Sequence, residues 1–220
     1  MSGPEAGSGL VAVVTAIPEE FETVSAFIQD GERLRGGGAG RGFLLRGKIG
    51  GANVLLGMTG DGPARAAASV SFLLGEFPVS LLVGAGAAGA LDPSLRAGEI
   101  LVASRVVEEA GEAAAPDASL VSRAVGLGAR AATFVTVSRP VCSSREKGDL
   151  ASRFRVPGSA PAVVDMESAA WGRAAAGRGV PFLLLRAVSD TLGEDRPGFL
   201  TLSLSADGSV DRAAAARQLH

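Results

Sequence analysis

The chain has 220 residues, 47% of them hydrophobic and 20% charged, enough to fill one sizeable core. Its 21 basic and 23 acidic side chains leave a net charge of -2, with no basic stripe to suit nucleic acid. The only histidine is the last residue, His220, and the only cysteine is Cys142, which argues against a Ser-His-Asp triad, a Cys-His pair, a His-based zinc site and an intramolecular disulfide.

Residues 1–9 are small and polar; they are expected to be flexible and lack the pattern of a signal peptide. Residues 10–16 are apolar almost throughout, which predicts a strand buried on both faces. Glu19 and Glu20 fall in the first turn of the helix that follows. Residues 36–42 hold too much glycine for a helix and read as a flexible loop. Weaker strands are predicted at 43–48 and 53–58, then a helix over 63–74 with Pro63 at its first position. A second buried strand spans 79–83, and another strand is expected over 99–107. Residues 110–117 read as a surface loop or a lid. Strands follow at 132–138 and 162–165, a helix at 168–176 stopped by Gly177-Arg178-Gly179, and a third buried strand at 182–188. From Asp207 the tail reads as a turn and a weakly helical stretch.

This alternation predicts an α/β fold: a three-layer αβα sandwich whose central sheet is mixed and largely parallel. Residues 1–220 are expected to form a single domain. No run of 18 apolar residues suggests a membrane span, and the lone cysteine suits a reducing compartment, so a cytoplasmic location is expected.

Gly84-Ala85-Gly86-Ala87-Ala88-Gly89 matches the dinucleotide-binding pattern G-x-G-x-x-G. That site needs a helix next, whose N-terminus meets the pyrophosphate. Here Ala90-Leu91-Asp92-Pro93 makes a turn instead, so the pattern reads as small residues at a strand end, where backbone can approach a flat ligand.

With no histidine available, acid–base chemistry falls to carboxylates near strand ends: Glu19, Glu20, Asp61, Asp165, Glu167 and Asp190. An acidic residue in a helix's first turn also favours the helix dipole, by about 0.3–1 kcal/mol, and that alone accounts for Glu19. For Asp61 both readings stand. Asp190 ends a strand that should be buried, where a carboxylate is costly unless it is partnered or protonated. A desolvated carboxyl is what a general acid needs, so Asp190 reads as functional.

Four segments occur in order: Val13-Val14-Thr15-Ala16-Ile17-Pro18-Glu19-Glu20; Gly84 to Leu91 followed by Leu95-Arg96-Ala97-Gly98-Glu99-Ile100; Val164-Asp165-Met166-Glu167-Ser168-Ala169; and Leu185-Arg186-Ala187-Val188-Ser189-Asp190. Together they resemble the nucleoside phosphorylase and nucleosidase superfamily, over about residues 10–195. The resemblance implies cleavage of the N-glycosidic bond of a purine, adenosine-type nucleoside by water or phosphate, without a metal or organic cofactor. It implies that Asp190 serves N7 of the leaving purine, Glu167 binds ribose hydroxyls and Met166 packs on the sugar. Glu20 would activate the attacking water. Gly86 and Ala87 would lie beside the sugar and nucleophile, with Asp165 and Val141 completing the substrate site.

Where some phosphorylases carry an arginine and a serine or threonine for phosphate, this chain has Gly84 and Ala87, which leans toward water. Arg46 and Arg65 are the remaining candidates for an anion. Residues 57–67, Ser138-Arg139-Pro140-Val141 and Asp207-Gly208 look more like the hopanoid-associated phosphorylases, linked to adenosylhopane, than like methylthioadenosine/S-adenosylhomocysteine nucleosidase. Futalosine hydrolase is a further relative. A homodimer or larger homo-oligomer is expected by resemblance only. The rival from another class is a nucleoside-binding protein without catalysis.

Overall fold

The computed structural model describes residues 9–34, 43–154 and 159–195. The predicted loop at 36–42, the tail from Asp207, His220 and residues 1–8 lie outside the described residues. The elements run β1 (Leu10–Thr15), α1 (Pro18–Ser25), β2 (Gln29–Leu34), β3 (Leu44–Ile49), β4 (Ala52–Met58), α2 (Pro63–Glu76), β5 (Val79–Ala90) and β6 (Ile100–Glu108). Then come β7 (Gly111–Ala114), α3 (Ala118–Gly126), β8 (Arg130–Thr136), α4 (Ser144–Phe154), β9 (Ala162–Asp165), α5 (Ser168–Ala176) and β10 (Phe182–Asp190).

The apolar strands take the centre, because only they can give both faces to helices. β1 lies between β4 and β5, parallel to each, and β5 is also parallel to β10. Helices cover both faces. Ala12 and Val14 of β1 share a core with Val70 and Leu73 of α2 and Trp171 of α5. Val13, between them in sequence, points to the other face and joins Phe21 of α1 and Met58 of β4. A third cluster sets Ala151 of α4 against Val135 and Val164. The large mixed α/β sheet and its layers are as expected, and the parallel pairings are its spine. Antiparallel pairs are more numerous than "largely parallel" suggests, since β2, β3, β7 and β9 all pair that way.

Two features go beyond the sequence reading. First, the sheet returns on itself: β10 pairs β6, β6 pairs β8, β8 pairs β9, and β9 pairs the far end of β5. Second, residues 110–117 form neither a slack loop nor a lid. Gly111–Ala114 is β7, antiparallel to β6, and Asp117 caps α3 by accepting hydrogen bonds from the Ser119 and Leu120 backbone N–H groups at 2.9 and 3.0 Å.

The glycine segment lies inside β5 rather than beyond its end. Its glycines serve close packing. A Cβ on Gly84 would sit 2.6 Å from the Trp171 ring and from Leu184, both fully buried. β1 pairs with β5 only as far as Gly84, and β9 begins its pairing at Gly89. Between these points the strand edge at residues 85–88 is left without a neighbouring strand on that side. That gap positions the site.

Candidate functional site

A cleft of about 200 Å³ opens over the gap in β5. Its lining includes Glu20, Ala87, Val141, Asp165, Met166, Glu167 and Asp190, which are seven of the eight predicted site residues. The eighth, Gly86, lies beneath it, where a Cβ would come within 2.6 Å of Arg186 Nη1 and 2.7 Å of Glu20 Oε1. Glycine is required there because two charged side chains meet over its backbone.

Glu20 comes from the first turn of α1, which Pro18 begins directly after β1. Its Oε2 accepts the Ala16 N–H at 2.9 Å, and its Oε1 reaches across the gap to accept the Ala87 N–H at 2.9 Å. The strand edge that lacks a partner therefore holds the carboxylate by its backbone. Neighbouring Glu19 is exposed, and Asp61 is paired with Arg65 at 3.1 Å outside the cleft lining; neither joins the site.

Glu167 stands between β9 and α5, nearly buried, and its Oε1 accepts the Gly62 N–H at 2.8 Å. Burial raises its pKa to about 7, helped by the Asp165 charge and opposed by Arg186 and the Gly62 hydrogen bond. Asp165 is held differently. Thr136 Oγ1 donates to its Oδ1 at 2.9 Å, and its Oδ2 accepts from both Arg186 Nε, at 3.0 Å, and Ser168 Oγ. Its oxygens are engaged by protein, so it braces the cleft wall rather than offering a free acceptor. Arg186, 2% exposed on β10, also stacks over Trp171 at 4.7 Å and lies 3.9 Å from Glu167 Oε2.

Asp190 ends β10. Ser189 Oγ lies 2.6 Å from its Oδ1 and 3.0 Å from the Ala88 carbonyl oxygen, and Lys147 Nζ donates to its Oδ2 at 2.7 Å. Lys147 is fully buried and also donates to the Thr191 carbonyl at 2.5 Å. It belongs to α4, where no helix was predicted. The signals were present: Ser143 and Glu146 form a capping box, and positions 147, 150, 151 and 154 make one helical stripe facing the core. A lysine on such a stripe needs a buried partner. Arg186 appeared in the sequence motif without a role.

Among the described residues, no arginine or lysine lines the cleft. Arg46 is exposed on β3, and Arg65 is turned to Asp61. Among the described residues no cluster of three or more His, Cys, Asp or Glu side chains is arranged for a metal ion. No helix among them is long and apolar enough to cross a membrane.

The family model for the phosphorylase superfamily matches residues 10–219. The chain belongs to that superfamily. It is 27% identical over 178 residues to the 5'-methylthioadenosine/S-adenosylhomocysteine nucleosidase of Colwellia psychrerythraea, covering 69% of this chain and 72% of the relative. It is 26% identical over 213 residues to the enzyme of the same name from a Marinomonas species, covering 86% and 88%. In fold it is similar to the 5'-methylthioadenosine/S-adenosylhomocysteine nucleosidase of Neisseria meningitidis, solved with methylthio-immucillin-A. That match has a TM-score of 0.72 and 24% identity, covering 84% of this chain and 87% of the other. The Helicobacter pylori nucleosidase matches with a TM-score of 0.76 and 20% identity, covering 96% and 99%. The superfamily member thus carries its glycine segment as a packed strand, which leaves the dinucleotide reading without the helix it needs.

Proposed function

We propose that this protein is a nucleosidase that hydrolyses the N-glycosidic bond of an adenosine-type nucleoside and frees the base. The observation that carries the reading is the convergence of Glu20, Glu167 and Asp190 on one small cleft of a phosphorylase-superfamily chain whose similar relatives are named as nucleosidases. Glu167 accepts the ribose hydroxyls and Met166 packs on the sugar. As the C1′–N9 bond breaks, its electron pair goes to the purine, and Asp190 gives a proton to N7. The sugar becomes oxocarbenium-like, a state the surrounding carboxylates favour. Water attacks C1′ and loses a proton to Glu20, which its backbone donors hold in place. Val141 and Ala87 shape the walls.

Water is favoured over phosphate because no cation among the described residues lines the cleft, whereas a phosphate needs charge-assisted donors. A second cavity of about 590 Å³ shares Val137 and Val141 with the cleft, and Glu108, Glu109, Arg139, Glu146, Asp149 and Arg153 line much of it. Such a lining suits a short or polar 5′ substituent better than the hydrocarbon of adenosylhopane. In this reading the enzyme uses no cofactor and acts in the cytoplasm as a homodimer or larger homo-oligomer.

Base release tests the reading. Purified protein is given adenosine, methylthioadenosine, S-adenosylhomocysteine and a 5′-alkyl adenosine, with and without phosphate, and products are separated by chromatography. Adenine released equally in both conditions is the expected result. Release only with phosphate, as ribose 1-phosphate, would make it a phosphorylase. No free base alongside ligand-induced stabilisation would favour a binding protein.

A further inference from the structure

A fully buried lysine has few reasons to exist, since desolvating an ammonium is costly without a close counter-charge. Lys147 has that counter-charge in Asp190, 2.7 Å away, and spends a second proton on the Thr191 carbonyl at the end of β10. It does not line the cleft itself. It reaches the chemistry only through Asp190. We propose that Lys147 is a positioning residue for base departure: its ammonium fixes the Asp190 carboxyl and stabilises the carboxylate left when the base has taken the proton. The inference rests on the nucleosidase reading above.

The proton balance is simple. Asp190 gives its proton to N7 as the C1′–N9 bond breaks, and becomes a carboxylate. That carboxylate faces the Lys147 ammonium on Oδ2 and the Ser189 hydroxyl on Oδ1. When Asp190 is protonated on Oδ1 it can donate to Ser189 Oγ, whose own proton then turns to the Ala88 carbonyl 3.0 Å away. Hydroxyl rotation alone meets the hydrogen bonds of both states, while the protonated state leaves the Lys147 ammonium without this counter-charge and is the higher in energy of the two. The ammonium interacts more strongly with the charged state, and this difference is what accelerates the step. Water attacking C1′ gives a proton to Glu20, and the enzyme regains its starting state when solvent takes that proton from Glu20 and supplies one to Asp190.

The test separates this role from mere support of the fold. Lys147→Met is compared with wild type on methylthioadenosine and on a 4-nitrophenyl riboside, whose leaving group departs without protonation. The proposal expects kcat on methylthioadenosine to fall about 10²-fold with KM within a few-fold, and kcat on the nitrophenyl riboside to change less than about 3-fold. Equal losses on both substrates would make Lys147 structural and overturn the proposal, as would no loss on either. Because the single variant takes the Lys147 charge away from Asp190 and risks misfolding, Lys147→Met is also built on Asp190→Asn. There it should lower kcat less than about 2-fold further, since its partner's proton is already gone. A large further loss counts against the proposal. A wild type that frees neither adenine from methylthioadenosine nor nitrophenol from the riboside overturns the nucleosidase reading, and this inference with it.

Discussion

Glu20 and Asp190 are both carboxyls of one cleft, held by different kinds of donor, and the proposed function gives them opposite tasks. Glu20 is held by backbone N–H donors from Ala16 and Ala87, which fix its carboxylate at the strand edge where the proposed function has it meet water. Asp190 sits against an ammonium and a hydroxyl, a setting that suits a group which ends the step as an anion. Asp190→Asn keeps the shape but cannot supply the proton, so kcat on methylthioadenosine should fall at least about 10²-fold while near-UV circular dichroism is unchanged. On the nitrophenyl riboside the same variant should stay near wild type. Glu20→Gln should lose comparably on both substrates, because water must be activated whichever group leaves. An Asp190 variant with near-wild-type turnover of methylthioadenosine would remove the assignment. These carboxylates were legible in the sequence because strand ends and the motifs mark them. Lys147 was not, since its meaning depends on a helix whose charged composition hides its one apolar stripe.

At the scale of elements, the buried strands were legible and their neighbours less so. Residues 10–16, 79–83 and 182–188 announce themselves by unbroken apolarity, which only central strands need. β2 carries Gln29, Asp30, Glu32 and Arg33 with almost no buried position, as an edge strand does, so no apolar alternation marks it. The continuation of β5 through its glycines was hidden for another reason. Glycine is a poor strand former by itself, and its presence there is dictated by Trp171 and Arg186 from other elements. This gives an element-scale prediction. Gly84→Ala places a methyl 2.6 Å from the Trp171 ring, which the fully buried core cannot easily yield. Overpacking of this kind costs about 1–3 kcal/mol, and the urea midpoint should fall accordingly. The same methyl would also meet Leu184 at 2.6 Å, so truncating both neighbours, with Trp171→Ala and Leu184→Ala, should relieve the clash, and the three variants combined should lose less than the sum of the single losses. Strict additivity would mean that Gly84 is required for something other than its packing against Trp171 and Leu184.

For the whole molecule, the price of the site appears as a pH dependence of folding. Glu167 has its pKa raised from 4.5 to about 7, burial being the leading cause. Folding therefore favours its protonated form. The folded state binds more protons than the unfolded chain between about pH 4.5 and 7, so this contribution is fully present below pH 4.5 and is lost as pH rises through 7. The difference amounts to about 3 kcal/mol for a shift of that size. Glu146 works in a separate window. Arg139 and the Cys142 and Ser143 backbone N–H groups hold it down to about 2, so its contribution is present above pH 4.5 and disappears only as pH falls toward 2. Raising the pH from 5 to 8 thus leaves Glu146 ionised in both states and isolates Glu167. Urea unfolding at those two pH values should show the wild type less stable at pH 8, and Glu167→Gln should remove most of that fall. An unchanged fall in the variant would place its source elsewhere. The same group then links stability to binding: ribose hydroxyls that donate to Glu167 favour its ionised form, so substrate should bind more tightly as pH rises through 7, with KM of the Gln variant raised and flat across that range.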